Sequence, residues 1–191
     1  MNYNAEQIKE KLKSKLLPQH YDHCVRTAEA AVRMAQAFGV NEEKAYLAGL
    51  LHDYARSMSS DELISEAKRL GLGINPVEAA FPYLLHAQVG ARLIEIDLGI
   101  MDKEIIDAIE NHTLGSTSMT PLAKIIYVAD MIEPGRPYQG LDALRRIALD
   151  DLDEVFREAY IHSLEYLIRV RKLIHPLTVE VWNKLIAKQH V

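Results

Sequence analysis

Apolar residues recur along this chain at spacings of three, four and seven positions, which is the period of an amphipathic α-helix. No stretch alternates apolar and polar residues for long enough to indicate a β-strand. The pattern therefore predicts an all-α fold. The predicted helices cover residues 4–17, 20–38, 42–56, 60–71, 77–98, 103–113, 121–133, 140–148, 151–171 and 176–188.

Several predicted helices begin at a residue that suits an N-cap, because its side chain can accept a hydrogen bond from the first turn. These residues are Asn41, Ser59, Asp102 and Thr120. Glu62 follows Ser59 at the spacing of a capping box, and Pro121 suits the first turn of its helix. Pro134 and Gly135 should end that helix.

The composition narrows the class of protein. The 191 residues are 49% apolar and 26% charged, which suits one globular domain over residues 1–191, including the helices at 151–188, or a domain with a helical appendage. The net charge of −5 disfavours nucleic acid and anionic membranes as partners. Apolar runs reach roughly seven residues, well below the ~20 of a membrane span. The N-terminus lacks a signal-peptide pattern and Cys24 is the single cysteine, so we expect a cytoplasmic protein.

The most informative polar residues follow a fully apolar segment. Residues 45–51 are apolar on every side of the predicted helix, so this helix should be buried all round. His52 and Asp53 come directly after it. Burying an imidazole and a carboxylate is costly unless both have strong partners. A bound metal ion satisfies both, because it takes neutral imidazole and ionised carboxylate together.

Four further polar residues share a helix face with apolar ones and should therefore point inward. They are His23, His86, His112 and Asp130. Together with His52 and Asp53 they offer imidazoles and carboxylates but no thiolate. This set suits Fe, Mn or Zn, as one ion or as two ions bridged by a carboxylate. We therefore expect a helical globule with a metal site at its centre.

A purely structural interpretation stays open for each residue, because most buried polar groups are satisfied by hydrogen bonds within the protein. A histidine on an apolar stripe is commonly a core residue, as we expect for His162. Asp130 could be a buried carboxylate held by a backbone donor. Cys24 is expected to fill the core, and His175 to close a helix. Periodicity alone does not separate the two interpretations.

The order of these residues and the sequence around them carry more information. The relevant segments, within residues 18–148, are HYDHCVRTAE, LHDYAR, LLHAQVGARL, AIENHTLG and LAKIIYVADMIEPGRPYQGLDALR. They resemble the HD-domain metal-dependent phosphohydrolase superfamily, and within it the YqeK-like branch, whose members hydrolyse symmetrical dinucleoside tetraphosphates. The chain departs from that branch at Gln88, residues 115–119 and Gln139, all outside the implied metal ligands.

The resemblance implies how the metal is held. One divalent ion would be bound by His23, His52, Asp53 and Asp130. Asp53 would bridge towards a second, weaker site at His86 and His112. The family's preference for iron is compatible with these ligands, and Mn and Zn are the alternatives.

The resemblance also implies hydrolysis of diadenosine tetraphosphate into two ADP by water that the metal activates. The implied catalytic residues are Asp53, His52, His20 and Arg136. The implied contacts to substrate or ADP are His20, Asp53, Arg56, Tyr83, His86, His112, Thr113, Lys124, Asp130 and Arg136. Arg136 is our first candidate for a phosphate contact, since a guanidinium matches phosphate as a bidentate fork. In the structural alternative, Arg56 and Lys124 are solvated charges, and Tyr83 is a core aromatic residue.

Two other functions fit the same residues. The chain could act on another nucleotide, such as a nucleoside monophosphate, a deoxynucleoside triphosphate or guanosine tetraphosphate. It could also be a metal- and nucleotide-binding sensor with little turnover, although the complete ligand set argues against this. A homodimer is also possible, because the helix stripe that carries His162, with Leu164 and Leu167 nearby, could form a dimer interface as easily as part of the core.

Overall fold

The computed structural model describes residues 5–137 and 140–187, so the departure at Gln139 lies outside the described residues. Within them the chain is all-α, as predicted, and contains no strand. The α-helices are α1 (Ala5–Lys15), α2 (Pro18–Phe38), α3 (Glu42–Leu51), α4 (Ser60–Arg69), α5 (Pro76–Ala80), α6 (His86–Leu98), α7 (Lys103–Glu110), α8 (Pro121–Ile132), α9 (Leu141–Ile147), α10 (Leu152–Arg169) and α11 (Pro176–Ala187), with a 3₁₀ helix at Pro82–Leu85.

The fold is organised around α2, which packs along α3 and α8. Helix α7 lies against α3, α6 and α8, and α10 contacts α8 and α9. Helix α3 approaches α2 closely at Gly49, where a Cβ atom would lie 2.7 Å from the Cα atom of Ala28. Glycine is required at this contact, which brings the end of α3 beside α2.

The four predicted N-caps are confirmed. Asn41, Asp102 and Thr120 accept hydrogen bonds from the first turns of α3, α7 and α8, and Ser59 forms the capping box of α4 with Glu62. These bonds satisfy amide groups that a helix start leaves without partners. No helix in the described part of the chain has the length and apolar character needed to cross a bilayer.

The continuous helix predicted over residues 77–98 is wrong. The structure divides this segment into α5, the 3₁₀ helix and α6, with a break at Phe81 (φ −132°, ψ 74°). The cause is Pro82, which has no N–H to donate and disfavours the helical conformation of the residue before it. As a result, His86 lies at the start of α6 instead of inside a long helix.

Two further helices end earlier than predicted. The helix predicted over 42–56 ends at Leu51, and the one predicted over 103–113 ends at Glu110. At the first end, the ring of His52 lies 2.7 Å from the carbonyl oxygen of Gly49, the acceptor that a continuing helix would offer to the next amide. His112 bonds in the same way beyond α7. Both histidines therefore lie in turns at helix ends.

Candidate metal centre

The structure brings the six predicted metal ligands together. They come from α2 (His23), the turn after α3 (His52 and Asp53), the start of α6 (His86), the turn after α7 (His112) and the end of α8 (Asp130). Five of them are buried, whereas the side chain of Asp130 is 22% exposed. The cluster therefore reaches solvent at Asp130.

One group of ligand atoms lies between α2, α3 and α8. His23 Nε2 is 2.9 Å from Asp130 Oδ1 and 3.2 Å from His52 Nε2. One donor atom from each of these three residues lies within 4.8 Å of the others, which is compact enough to surround one ion.

A second group of ligand atoms adjoins the first. Asp53 Oδ1 lies 3.0 Å from His86 Nε2, which is 3.1 Å from His112 Nε2. The other carboxylate oxygen of Asp53 is 3.6 Å from His52 Nε2. Asp53 therefore lies between the two groups, as a bridging carboxylate would.

The Nδ1 atoms of the four histidines point away from the cluster towards acceptors. Three of them bond the backbone carbonyl three residues earlier: His52 with Gly49 (2.7 Å), His86 with Tyr83, and His112 with Ile109 (2.7 Å). His23 Nδ1 faces Glu133 Oε1 at 3.1 Å. Carbonyl and carboxylate oxygens only accept, so in the neutral rings Nδ1 carries the proton and Nε2 presents its lone pair to the cluster.

This donor set fits a metal ion. The Nε2 atoms face each other in two pairs, at 3.2 Å and 3.1 Å, and neutral rings have no proton to share between them. Within the described residues, donors reach this set only at its edge, where Arg136 lies 3.2 Å from His23 Nε2 and Thr113 lies 3.1 Å from His112 Nε2. Converging lone pairs and carboxylates attract a cation, and Fe, Mn and Zn all accept imidazole and carboxylate ligands.

The electrostatics of the site keep its carboxylates ionised. Burial alone would raise the pKa of Asp53, but the neighbouring imidazoles, His52 first, hold it well below its usual value. Burial also opposes the ionisation of Asp130, but the neighbouring rings of His23 and His52 and the Arg136 guanidinium outweigh it and lower the pKa of Asp130 well below its usual value. Burial lowers the pKa of His86, which favours the neutral, metal-binding form of its ring.

The sequence interpretation missed one buried residue at the site, Glu133. Its side chain is 2% exposed and accepts hydrogen bonds from His23, from Arg26 Nε at 2.6 Å and from the backbone N–H of Gly135 at 2.6 Å. Burial opposes its ionisation, but the bond from Arg26 lowers the pKa of Glu133. A signal was present, because Glu133 lies three residues after Asp130 and thus near the same helix face.

A sulfur atom also lies near the centre, in Cys24 of α2. Its sulfur, a nitrogen of His52 and a carboxylate oxygen of Asp53 lie within 4.8 Å of one another. Burial raises the pKa of the Cys24 thiol well above its usual value, and the residue belongs to the hydrophobic core. Cys24 is therefore a core residue, as predicted, with a protonated thiol.

Arg136 lies at the exposed side of the centre. Its Nε atom donates to the backbone oxygen of Asp130 at 3.0 Å, and its Nη2 atom contacts the carboxylate of Asp130 and the ring of His23. The guanidinium therefore touches two predicted metal ligands.

His20, Arg56 and Tyr83 follow the rim of the same site. His20 Nδ1 is 3.1 Å from the hydroxyl of Ser57, which also accepts the backbone N–H of Leu17 at 3.2 Å. The guanidinium carbon of Arg56 lies 5.8 Å from the ring centre of Tyr83, which is 41% exposed. A cation and an aromatic ring are thus open to a ligand at the rim.

The structure does not bring Lys124 to this centre. Its ammonium group pairs with the carboxylate of Asp153 and lines a cavity of about 250 Å³ with residues 116–119 and side chains of α10 and α11. None of the six predicted metal ligands lines this cavity.

A second buried polar cluster has a different construction. Glu78 is 3% exposed, accepts the backbone N–H of Asn75 at 2.9 Å and lies 3.5 Å from His175 Nε2. His175 Nδ1 accepts the backbone N–H of Leu177 at 3.1 Å. Contrary to prediction, His175 therefore caps the start of α11 and does not close the preceding helix.

Comparison with known proteins is decisive for the family. Residues 20–135 match the HD domain family. This chain belongs to the HD domain family. The HD domain protein is 33% identical to the symmetrical bis(5′-nucleosyl)-tetraphosphatase of Bacillus subtilis, over 96% of this chain and 98% of that protein. It is 32% identical to the Staphylococcus aureus protein of the same name, over 94% and 93% of the two chains.

A solved structure extends the similarity to the fold. It is a crystal structure from Clostridium acetobutylicum described as a predicted HD superfamily hydrolase involved in NAD metabolism. It shares 33% identity with this HD domain protein, covers 98% of this chain and 100% of that one, and superposes with a TM-score of 0.93. The predicted family and fold are confirmed, and the HD domain with its His/Asp cluster indicates that a divalent metal binds here.

Proposed function

We propose that this HD domain protein hydrolyses diadenosine tetraphosphate, and related dinucleoside tetraphosphates, symmetrically into two nucleoside diphosphates. The observation that carries the proposal is the similarity to symmetrical bis(5′-nucleosyl)-tetraphosphatases over nearly the full length of both chains. The converging buried ligands supply the chemistry that such a reaction needs.

The proposed metal is a divalent ion, with iron first and Mn or Zn as alternatives. One ion would be held by His23, His52, Asp53 and Asp130, and a second by Asp53, His86 and His112. When bound, the metal supplies a Lewis acid that polarises a phosphoryl oxygen and lowers the pKa of coordinated water. The lowered pKa values of Asp53 and Asp130 favour ionised carboxylates, and the lowered pKa of His86 favours a neutral imidazole, which are the forms that bind a metal ion.

Arg136 is proposed to bind the phosphate chain at the exposed side of the centre. Its guanidinium carries a fixed positive charge and presents a planar fork that matches phosphate oxygens. Attack on an inner phosphate releases a nucleoside diphosphate and increases negative charge at the bridging oxygen. The Arg136 guanidinium is held beside Asp130, and we expect it to stabilise that charge.

His20 and Thr113 are proposed to complete the phosphate contacts. The hydroxyl of Ser57 lies against Nδ1 of His20 and fixes the ring, so that the Nε2 side is available as a donor. Thr113 Oγ1 stands beside the rings of His86 and His112 and offers a hydroxyl at the second ligand group. Both act as hydrogen-bond donors to phosphate oxygens.

Arg56 and Tyr83 are proposed to hold the nucleoside side of the substrate. Tyr83 is partly exposed, and the Arg56 guanidinium lies against its ring. An aromatic face and a cation are therefore both available to a base or a ribose phosphate. Lys124 is not part of this proposal, since its ammonium group pairs with Asp153 and the cavity that it lines contains none of the predicted metal ligands.

The test is to incubate metal-loaded protein with diadenosine tetraphosphate and to separate the products by chromatography. ADP as the sole nucleotide product, absent with Asp53→Asn, is the expected result. AMP together with ATP would contradict symmetrical cleavage. Tight metal binding without turnover would favour another nucleotide substrate or a sensor.

A further inference from the structure

His23 differs from the other three histidines of the centre in how its ring is oriented. The other rings bond a carbonyl at a helix end or in a turn. His23 lies within α2, where the backbone carbonyls are used by helix hydrogen bonds. Its ring must therefore be oriented by a group from another element.

That group is Glu133. Among the described residues, His23 Nδ1 has one hydrogen-bond partner, Glu133 Oε1 at 3.1 Å. Glu133 directly follows α8, the helix that carries Asp130. We propose that Glu133 is a positioning residue that fixes the ring of His23 as a metal ligand. This inference rests on the metal centre of the proposed function, but on none of its nucleotide chemistry.

Glu133 is itself held in place. Arg26 Nε donates to Oε2 at 2.6 Å, Arg26 Nη2 to Oε1 at 3.4 Å, and the backbone N–H of Gly135 to Oε2 at 2.6 Å. Arg26 lies one turn after His23 on α2, so both side chains reach the same carboxylate. The guanidinium of Arg26 also packs over Gly135, where a Cβ atom would lie 2.5 Å from Arg26 Nη2 and would force that side chain to shift.

The expected consequence concerns metal affinity. A carboxylate that accepts Nδ1–H fixes the tautomer of a ligating histidine and increases the basicity of its other nitrogen, and losing such a partner typically weakens metal binding by about 10–100-fold. The same carboxylate bonds the N–H of Gly135, next to Arg136, so it ties the metal ligand to the loop that carries the proposed phosphate contact.

The experiment compares two buried glutamates. Glu133→Gln keeps the size and an acceptor oxygen but removes the charge. Glu78→Gln is the matched control, since Glu78 is equally buried and also lies against a histidine, outside the metal centre. Metal-free proteins are titrated with Mn²⁺ in the absence of nucleotide, and free Mn²⁺ is measured by electron paramagnetic resonance.

We expect Glu133→Gln to weaken Mn²⁺ binding by about 10–100-fold and Glu78→Gln to leave it unchanged, with both proteins folded by circular dichroism. Unchanged affinity in Glu133→Gln, or equal losses in both variants, overturns the proposal. If Glu133→Gln does not fold, Arg26→Gln is the alternative test, because Arg26 is partly exposed and its substitution removes the hydrogen bonds that hold Glu133 in place. Unchanged Mn²⁺ affinity in Arg26→Gln would then overturn the proposal. Failure of the tetraphosphatase assay would leave this result intact.

Discussion

Two buried clusters of histidine and carboxylate lie in this fold, and they differ in where their donors point. At Glu78 and His175, backbone N–H groups donate hydrogen bonds to the carboxylate and to the ring, so the lone pairs of both residues have donors within the protein. Around His52 and Asp53, the Nδ1–H groups of the histidines donate to backbone carbonyls outside the cluster, and the Nε2 and carboxylate lone pairs converge inside it. The first cluster is complete within the protein, whereas the second requires a cation.

This difference shows that burial alone does not identify a metal site. Glu78 and His175 are about as buried as Asp53 and His86. The direction of each N–H bond separates the two cases, because a neutral histidine whose Nδ1 donates to a carbonyl has an unprotonated Nε2. The comparison can be tested by removing groups from one cluster and not from the other.

The largest effect is expected for Asp53→Asn. Asparagine keeps the volume but removes the charge that both ligand groups share, so hydrolysis of diadenosine tetraphosphate should fall by more than about 100-fold, beyond the loss of a supporting residue alone. Metal content by mass spectrometry should fall with it. Glu78→Gln should keep both activity and metal, and equal losses in the two variants would contradict the distinction between the clusters.

Metal removal should lower the thermal stability of the parent. An ion present at about 100 times its dissociation constant stabilises the folded state by about 2.7 kcal/mol, which corresponds to about 5–10 °C in Tm for a protein of this size. Differential scanning fluorimetry with and without chelator measures the shift. Asp53→Asn should show little response, and an unchanged Tm in the metal-loaded parent would argue against tight binding.

Gly49→Ala should disturb the metal centre through the backbone. The added methyl group would overlap Ala28 Cα and push α3 away from α2, which should destabilise the protein by about 1–3 kcal/mol and weaken Mn²⁺ binding. Gly73→Ala is the control, since nothing lies within 4 Å of its Cβ position. Urea denaturation measures the free energy of unfolding, and equal effects at the two glycines would contradict the close contact.

The smallest effect is expected for Asp97, a carboxylate outside both clusters that is in contact with solvent. Burial would raise the pKa of Asp97, but bonds from Lys15 and Tyr54 lower it. A carboxyl whose pKa is lower in the folded state contributes stability above its unfolded value of about 4, and this contribution is lost as pH falls through the folded-state pKa.

Asp97→Asn should therefore cost about 0.5–1 kcal/mol at neutral pH, as expected for a partly exposed ion pair, and nothing in strong acid. Unfolding in urea at several pH values gives the two stability curves. Curves that stay parallel down to low pH would show that this carboxylate does not contribute through its charge.

The sequence predicted that six histidine and aspartate side chains are buried together, four because they share a helix face with apolar residues and two because they follow a fully apolar helix. The structure brings all six together, and their role as metal ligands stays a prediction. It did not predict that His52 and His112 would end their helices, because a ring that takes a backbone carbonyl competes with the helix ladder and leaves no trace in hydrophobic periodicity. By contrast, Pro82 could have indicated from the sequence alone that the helix predicted over residues 77–98 is interrupted.

Other features depended on contacts between distant parts of the chain. The spacing of Glu133 from Asp130 indicates a shared helix face, but it does not reveal the contact of Glu133 with Arg26, which is 107 positions away. Lys124 has a positive charge and lies on the helix that carries Asp130, which suits a phosphate contact, but its ammonium group pairs with Asp153 on α10. Such pairings arise only when helices pack, so periodicity within one helix cannot reveal them.

The hydrogen bonds from His52 and His112 to the backbone carbonyl three residues earlier have a thermodynamic consequence. The rotation of these rings is already restricted in the metal-free protein, so the entropy of ordering them is lost on folding and not when an ion arrives. Metal binding then requires little rearrangement of His52 and His112. The centre is in this sense preorganised, and its selectivity among ions should follow from coordination chemistry more than from the adaptability of the protein.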